Sequence, residues 1–195
     1  MNLTAMVARV RADLKDTDTQ NYIWTDAEIQ GAIGRAVMEY SLHAPIEQQT
    51  DIATTDGNTE LDISSLSGLL QVASVEFPID QSPKYMQHFE RYAGHLYMED
   101  EGDGTKARVH WLKIHTLGES TTIPAEHEEI IVLGATGYLA MSVSAYTVDK
   151  ATIAGSQASI NYKAWGMERL QRYDKKLKQI ARGNRVIQRE LYTEE

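Results

Sequence analysis

The spacing of apolar residues changes twice along this chain, and that change limits the folds open to it. The first segment repeats apolar residues every three or four positions, as an amphipathic helix does. Residues 48–118 instead hold short apolar runs separated by glycine-containing turns, which is typical of strands. Helical spacing then returns up to residue 183. We therefore predict an α+β fold, in which the N- and C-terminal segments form a helical bundle around an inserted antiparallel β subdomain.

The same pattern sets the expected domain boundaries. Residues 1–47 and 119–183 would supply the helices of the bundle, and residues 48–118 the β subdomain. Residues 184–195 follow a helix stop at Gly183-Asn184 and would form an extended arm.

A capping box marks the second helix. Thr25 can accept a hydrogen bond from the Glu28 N–H, while the Glu28 carboxylate reaches back to the Thr25 N–H. Apolar side chains then follow at helical spacing and predict a buried face. Over both ends of the chain, the residues expected to pack the bundle are Trp24, Ile29, Ile33, Val37, Tyr138, Met141, Trp165 and Tyr173.

Two turn signals organise the middle of the chain. Asp56-Gly57-Asn58 predicts a hairpin between the strand-like runs 51–55 and 59–63. Glu99, Glu101, Asp103 and Gly104 resemble the start of a calcium loop, but position 12 of that loop would be His110, so a hairpin tip is favoured at residues 101–104. Further strands are expected at 69–77, 84–90, 96–99 and 107–115.

A glycine-containing run at residues 130–140 has two interpretations. It resembles the strand and glycine-rich turn of extended short-chain dehydrogenases. That motif normally opens its domain, however, and only 58 residues follow Gly137 here. Pro124 and an acidic first turn predict that a helix begins before the run. We therefore favour a thin helix that a neighbouring helix can approach closely.

Composition and residue spacing exclude several kinds of functional site. The chain has no cysteine, which excludes disulfides, zinc–thiolate sites and a thiol nucleophile. His127-Glu128 lacks the second histidine of a zinc-protease helix, because Ile131 stands there. His110 and His115 would face opposite sides of one strand. We predict no catalytic, cofactor or metal site, and a protein that is not an enzyme.

Charge is distributed unevenly. The formal net charge is −9, yet the residues from Ile160 onward contain nine basic and five acidic residues, for a net +4. Residues 1–159, which we call the body, therefore carry a net charge of −13. No apolar run reaches the length of a bilayer span, and the first residues lack the apolar core of a signal peptide, so we expect a soluble protein made in a cytoplasm.

The arm combines basic residues with apolar ones that have no evident core to join. We favour its capture by another chain, and the alternative is that it folds back on its own body. The residues expected to dock are Arg182, Arg185, Val186, Ile187, Arg189, Leu191 and Tyr192.

Three stretches resemble the head-to-tail connector, or adaptor, proteins of tailed bacteriophages. The first spans Val7 to Leu14 and continues through the capping box to Ala36. The second runs from Val109 to Leu117 and leads to the segment 122–128. The third is the small-residue run Gly134–Ala140 with the basic C-terminal helix and arm.

This resemblance implies a structural virion protein, assembled in the host cytoplasm and placed in the neck of the particle. Copies, commonly twelve, would form a ring beneath the portal protein. The arm would reach the portal, and the opposite side would receive a tail or tail-terminator protein. Double-stranded DNA would pass through without sequence readout, and an acidic lumen would not hold it.

Two other functions remain open at this point. The chain could be a ligand- or protein-binding module of another phage component, such as a tail terminator or a neck decoration. A nucleotide-dependent enzyme is the less favoured alternative.

Overall fold

A computed structural model describes the backbone of residues 1–150 and 157–183, with side chains for 1–143 and 162–183. It divides into a helical unit, residues 1–44 with those from 115 onward, and a β unit, residues 45–114. The helical unit holds the helices and the β unit holds two antiparallel sheets, which confirms the predicted α+β class.

In the described part of the helical unit there are four helices. They are α1 (Leu3–Leu14), α2 (Asp26–His43), α3 (Glu128–Lys150) and α4 (Gln157–Gly183), and a 3₁₀ turn (Ala125–His127) precedes α3. Helix α3 contacts each of the other three helices. The core is built from apolar side chains of all four helices and includes Met6, Val10, Trp24, Ile33, Tyr40, Ile131, Leu139, Tyr173 and Leu177.

The start of α2 matches its sequence signal. The Thr25 hydroxyl accepts from the Glu28 N–H at 3.3 Å, and the Glu28 carboxylate accepts from the Thr25 N–H at 2.7 Å. The latter bond lowers the pKa of the Glu28 carboxyl, so this side chain is ionised beside the positive end of the helix. The predicted stripe of Ile29, Ile33 and Val37 is buried.

Close packing of α3 against α4 depends on glycines. A Cβ on Gly134 would lie 2.9 Å from the Tyr173 ring, and one on Gly137 would lie 2.9 Å from Leu170. On the other helix, a Cβ on Gly166 would lie 3.2 Å from the Gly137 carbonyl oxygen. The predicted thin helix with a closely approaching neighbour is confirmed.

The β unit contains seven strands in two sheets. The strands are β1 (Ile46–Ala53), β2 (Glu60–Asp62), β3 (Leu69–Glu76), β4 (Met86–Gln87), β5 (Phe89–Tyr92), β6 (His95–Met98) and β7 (Lys106–Lys113). The large sheet has the order β1-β7-β3-β4, and the small sheet has the order β2-β6-β5. The core of the β unit is separate from that of the helical unit and contains residues of both sheets. It includes Leu61, Ile63, Val75, Phe77, Leu96, Ala107, Val109 and Trp111.

Both predicted hairpins are wrong. Strand β1 pairs with β7 and strand β2 with β6, so the turn at residues 56–58 connects different sheets. Residues 101–104 likewise lead from the small sheet to the large one. The two turns bond to each other instead: the Gly57 N–H donates to Gly102 O at 2.9 Å, and the Gly102 N–H donates to Asn58 O at 2.8 Å. Turn chemistry was identified correctly, but it does not specify which strand each flanking run will pair with.

Three strand predictions differ from the structure by more than one residue. The run expected at 51–55 belongs to β1, which already begins at Ile46 and ends at Ala53. The run 84–90 is divided between β4 and β5, and the strand expected at 107–115 ends at Lys113. His115 therefore lies beyond the strand, in the helical unit, where its Nε2 is 2.9 Å from Ala44 O. The prediction that His110 and His115 face opposite sides of one strand is therefore wrong, because only His110 lies on β7.

Candidate interaction surfaces

Helix α4 is held firmly along one side. Arg169 contacts Asp13 of α1 with both terminal nitrogens, at 2.5 and 3.1 Å, and donates to Thr136 Oγ1 of α3 at 3.0 Å. Its guanidinium also lies 4.3 Å from the centre of the Trp165 ring. One cation thus joins α4 to α1 and α3.

Exposed cations follow Arg169 along the second half of α4. Lys175, Lys176 and Arg182 are exposed, and none has an ion-pair partner among the residues that the structure describes. Lys178 is also exposed and bonds Asp174 one turn earlier, at 2.6 Å. The charge run is therefore solvated, and three of the exposed cations of α4 without an ion-pair partner in the described residues lie in its last three turns.

The predicted docking arm is placed only at its beginning. Arg182 lies in the last turn of α4 and is exposed. The other predicted arm residues lie outside the described part of the chain, namely Arg185, Val186, Ile187, Arg189, Leu191 and Tyr192.

The residues expected to pack the bundle differ in how deeply they are buried. Trp24, Ile29, Ile33, Val37 and Tyr173 belong to the buried core of the helical unit, and Tyr138 packs against it. Met141 and Trp165 are half-buried. Met141 lies near Gly166, and Trp165 lies beside the Arg169 guanidinium.

Two phenols, the buried Tyr173 and the half-buried Tyr138, bind α2 to its neighbours. The Tyr173 hydroxyl donates to Ala36 O at 2.6 Å, and the Tyr138 hydroxyl donates to the Glu39 carboxylate. Burial raises the pKa of both phenols, and Glu39 raises both further. They therefore remain neutral donors at any physiological pH.

The histidine and acids at the start of α3 also have structural partners. His127 Nδ1 lies 2.6 Å from the Tyr40 hydroxyl, and Glu128 binds the amino group of Met1. The run 130–140 lies wholly within α3, so the strand and turn of a dinucleotide motif are not formed. Within the described part of the chain, no three His, Asp or Glu side chains are grouped closely enough to hold a metal ion.

A charged cluster in the β unit was not predicted. The Glu76 carboxylate is fully buried and accepts from Lys84 Nζ and from the Asp80 N–H, each at 3.2 Å. Burial opposes its ionisation, but these hydrogen bonds outweigh burial and lower the pKa of Glu76. His110 Nε2 lies 3.6 Å away, too far for a hydrogen bond.

Arg108 extends this cluster at the surface. It bonds Asp51 at 2.7 and 3.0 Å and Asp80 at 2.9 Å, and the two carboxylates raise its pKa. The segment that carries Asp80 and Lys84 is thereby tied to the large sheet at two points. Glu76 is a charged residue at the end of a strand, and such residues usually lie at the surface. The sequence therefore gives no indication that it is buried.

Comparison with known proteins adds no assignment, because no protein-family model and no curated protein matches this sequence. Among residues 1–150 and 157–183, no helix is both long and apolar enough to cross a bilayer.

Proposed function

We propose that this chain is a structural head-to-tail adaptor of a tailed bacteriophage, forming a ring beneath the portal protein. The observation that carries the proposal is the exposed basic end of α4, which is followed in the sequence by an arm, residues 184–195, that combines two arginines and three glutamates with apolar residues. The resemblance of three long stretches to connector proteins supplies the functional class.

The packing of α4 supports this role. Helix α4 packs on α3 through glycines and is bound to α1 and α3 by Arg169, so the helix that precedes the arm belongs to the folded bundle. A C-terminal segment that folds when it binds its partner loses conformational entropy on binding. Because α4 is already folded, only the arm would lose this entropy when it binds the portal protein.

The arm would supply both kinds of contact that docking requires. Arg185 and Arg189 suit an acidic portal surface, while Val186, Ile187 and Leu191 would be buried there. The body carries −13 and would favour passage of DNA over retention, since phosphate is repelled by carboxylates. No enzymatic step is part of this role.

Deletion of residues 184–195 tests the proposal. We expect binding to the immobilised portal protein encoded in the same genome to weaken by at least about tenfold, because the central apolar contacts of an interface hold most of its affinity. The matched control is Lys106→Gln with Lys163→Gln, which removes two exposed cations outside the arm.

Equal portal affinity for the truncated and full-length chains would contradict the arm assignment. Negative-stain images of the full-length chain, alone and with portal, test ring formation. A persistent monomer without portal affinity would favour the alternative, a binding module of another phage component.

A further inference from the structure

The exposed side of α2 carries an apolar stripe that is separate from its buried face. Ile29, Ile33 and Val37 lie on the buried face and join the core of the helical unit. On the side open to solvent, residues three or four positions apart again lack charged and polar side chains. This second set, which we call the outer stripe, is Ala27, Gly31, Gly34, Met38 and Leu42.

The outer stripe has no packing role within the described part of the chain. Met38 and Leu42 are 47% and 63% exposed. A Cβ added at Gly31 or Gly34 would meet no atom within 4 Å, although glycine destabilises a helix relative to alanine. In α3, by contrast, the glycines are needed because another helix packs on them. The two glycines of α2 therefore leave room for the close approach of a further helix.

The outer stripe is complementary to itself. Its two large side chains lie at the C-terminal end of α2 and its small residues lie toward the N-terminal end. When two copies of α2 run antiparallel about a twofold axis midway between positions 34 and 35, Leu42 of each copy faces Ala27 of the other, and Met38 faces Gly31. Both pairs have the same midpoint, so one register satisfies both. A surface that fits a second copy of itself in this way forms an isologous contact.

The charge beside the outer stripe is already compensated. Arg35 is the charged residue nearest to the stripe on the helix surface. Its Nε lies 3.5 Å from the Glu39 carboxylate, and its guanidinium lies 4.0 Å from the centre of the Tyr138 ring. Because these contacts lie within one chain, two stripes can meet without bringing two unpaired cations together.

We propose that the outer stripe binds the outer stripe of a second copy, in an antiparallel pair of α2 helices. The stripe extends over about 22 Å and a helix is about 10 Å wide, so the contact covers roughly 200 Å² of each copy. A stable dimer buries about 800 Å² on each partner. The pair is therefore a weak dimer, and we expect its dissociation constant to lie in the micromolar range or above.

The absence of cysteine makes this register testable in the full-length chain. In the proposed pair the two copies of position 34 are adjacent, so Gly34→Cys should form a disulfide dimer on mild oxidation. Gly31→Cys and Met38→Cys should each form little dimer alone, because the two copies of either position are about 10 Å apart along the helix axis. An equal mixture of these two variants should form the mixed dimer.

The matched control is Gln30→Cys, at an exposed position of the same helix, which measures random collision. We expect Gly34→Cys to cross-link at least about tenfold faster than this control, since even a weak contact raises the local thiol concentration. Equal rates for the two variants would overturn the proposal. Cross-linking of Gly31→Cys and Met38→Cys each with itself, and not in the mixture, would also overturn it, because this result indicates a parallel pair.

Two exposed methionines provide a measurement without cross-linking. Met38 on α2 and Met167 on α4 are 47% and 45% exposed. Met38→Lys should weaken self-association at least about tenfold, because the contact would bury a charge without a partner. Met167→Lys adds the same charge outside the outer stripe and should leave self-association unchanged. Sedimentation at concentrations up to about 1 mM measures the dimer, and a parent chain that stays monomeric throughout would overturn the proposal.

This inference does not rest on the adaptor function. Neighbouring copies in a cyclic ring are not related by a twofold axis, so the paired helices belong to the protein before it enters a ring. Met38→Lys should therefore retain the portal affinity of the parent chain. A chain that dimerised in this register but bound no portal would support the inference and contradict the adaptor function. Portal binding by a chain that never dimerises would do the reverse.

Discussion

Glu76 shows how much a single residue can contribute without leaving a trace in the sequence pattern. Its carboxylate is fully buried, yet it stays ionised because a lysine and a backbone N–H compensate for the loss of water. The capping box at Thr25 is the opposite case, since its function depends only on residues three positions apart. Local partners could be predicted from the sequence, whereas Lys84 and the Asp80 N–H became partners of Glu76 through the path of a loop.

Glu76→Gln is expected to destabilise the β unit by about 1–2 kcal/mol, because the charge-assisted hydrogen bond from Lys84 is weakened. Urea unfolding at pH 7 measures the loss. Glu99→Gln, at an exposed position of the same unit, is the control and should have little effect.

The same carboxyl predicts a pH dependence. Its pKa in the folded chain is lower than the ordinary value of 4.5, so ionised Glu76 contributes stability above that pH. This contribution is lost as the pH falls through the folded-state pKa. The free energy of unfolding should therefore decrease more steeply between about pH 5 and pH 3 in the parent chain than in Glu76→Gln. Parallel slopes would show that Glu76 does not titrate in this range.

At the level of whole elements, helices were predicted better than strand pairings. The bounds of α1 and α2 follow from apolar spacing and caps, which are local properties. The turns at 56–58 and 101–104 were located, but their flanking strands pair across the chain, β1 with β7 and β2 with β6. Pairing is decided by which apolar faces can be buried together, and this information is not contained in a turn.

Replacing glycine by alanine is expected to have opposite effects on stability in α2 and in α3. Gly134→Ala would place a methyl group 2.9 Å from the Tyr173 ring and should destabilise the helical unit by about 1–3 kcal/mol. Gly31→Ala meets no atom within 4 Å and should stabilise α2 by about 0.5–1 kcal/mol. Thermal unfolding followed by circular dichroism at 222 nm compares them. A stabilising Gly134→Ala would mean that α4 can move away at little cost.

At the scale of the whole molecule, the residues that the structure describes form two hydrophobic cores with no buried residue in common. Each unit therefore has its own source of stability, and a cavity in one core acts first on the backbone hydrogen bonds of that unit. The change in apolar period at residues 48 and 118 predicted a division of this kind, and the structure places its boundaries at residues 44–45 and 114–115.

Leu96→Ala and Ile33→Ala form a reciprocal pair of tests. Each removes a fully buried side chain, at an expected cost of about 2–5 kcal/mol. Hydrogen–deuterium exchange should accelerate within residues 45–114 for Leu96→Ala, and within residues 1–44 and 115–143 for Ile33→Ala. Equal acceleration in both units for either variant would show that they unfold together.

The register of β1 with β7 has a consequence for how such a gene could change. Ile46 is paired with Lys113, so the chain enters and leaves the β unit at neighbouring positions. In the helical unit, the residues on either side of the insertion are also joined, by the bond from His115 Nε2 to Ala44 O. A short glycine linker could thus replace the whole insertion, or another domain with adjacent termini could take its place. The two ends of the β unit thus meet at one place in the structure, which is the arrangement that makes the insertion of one domain into another possible.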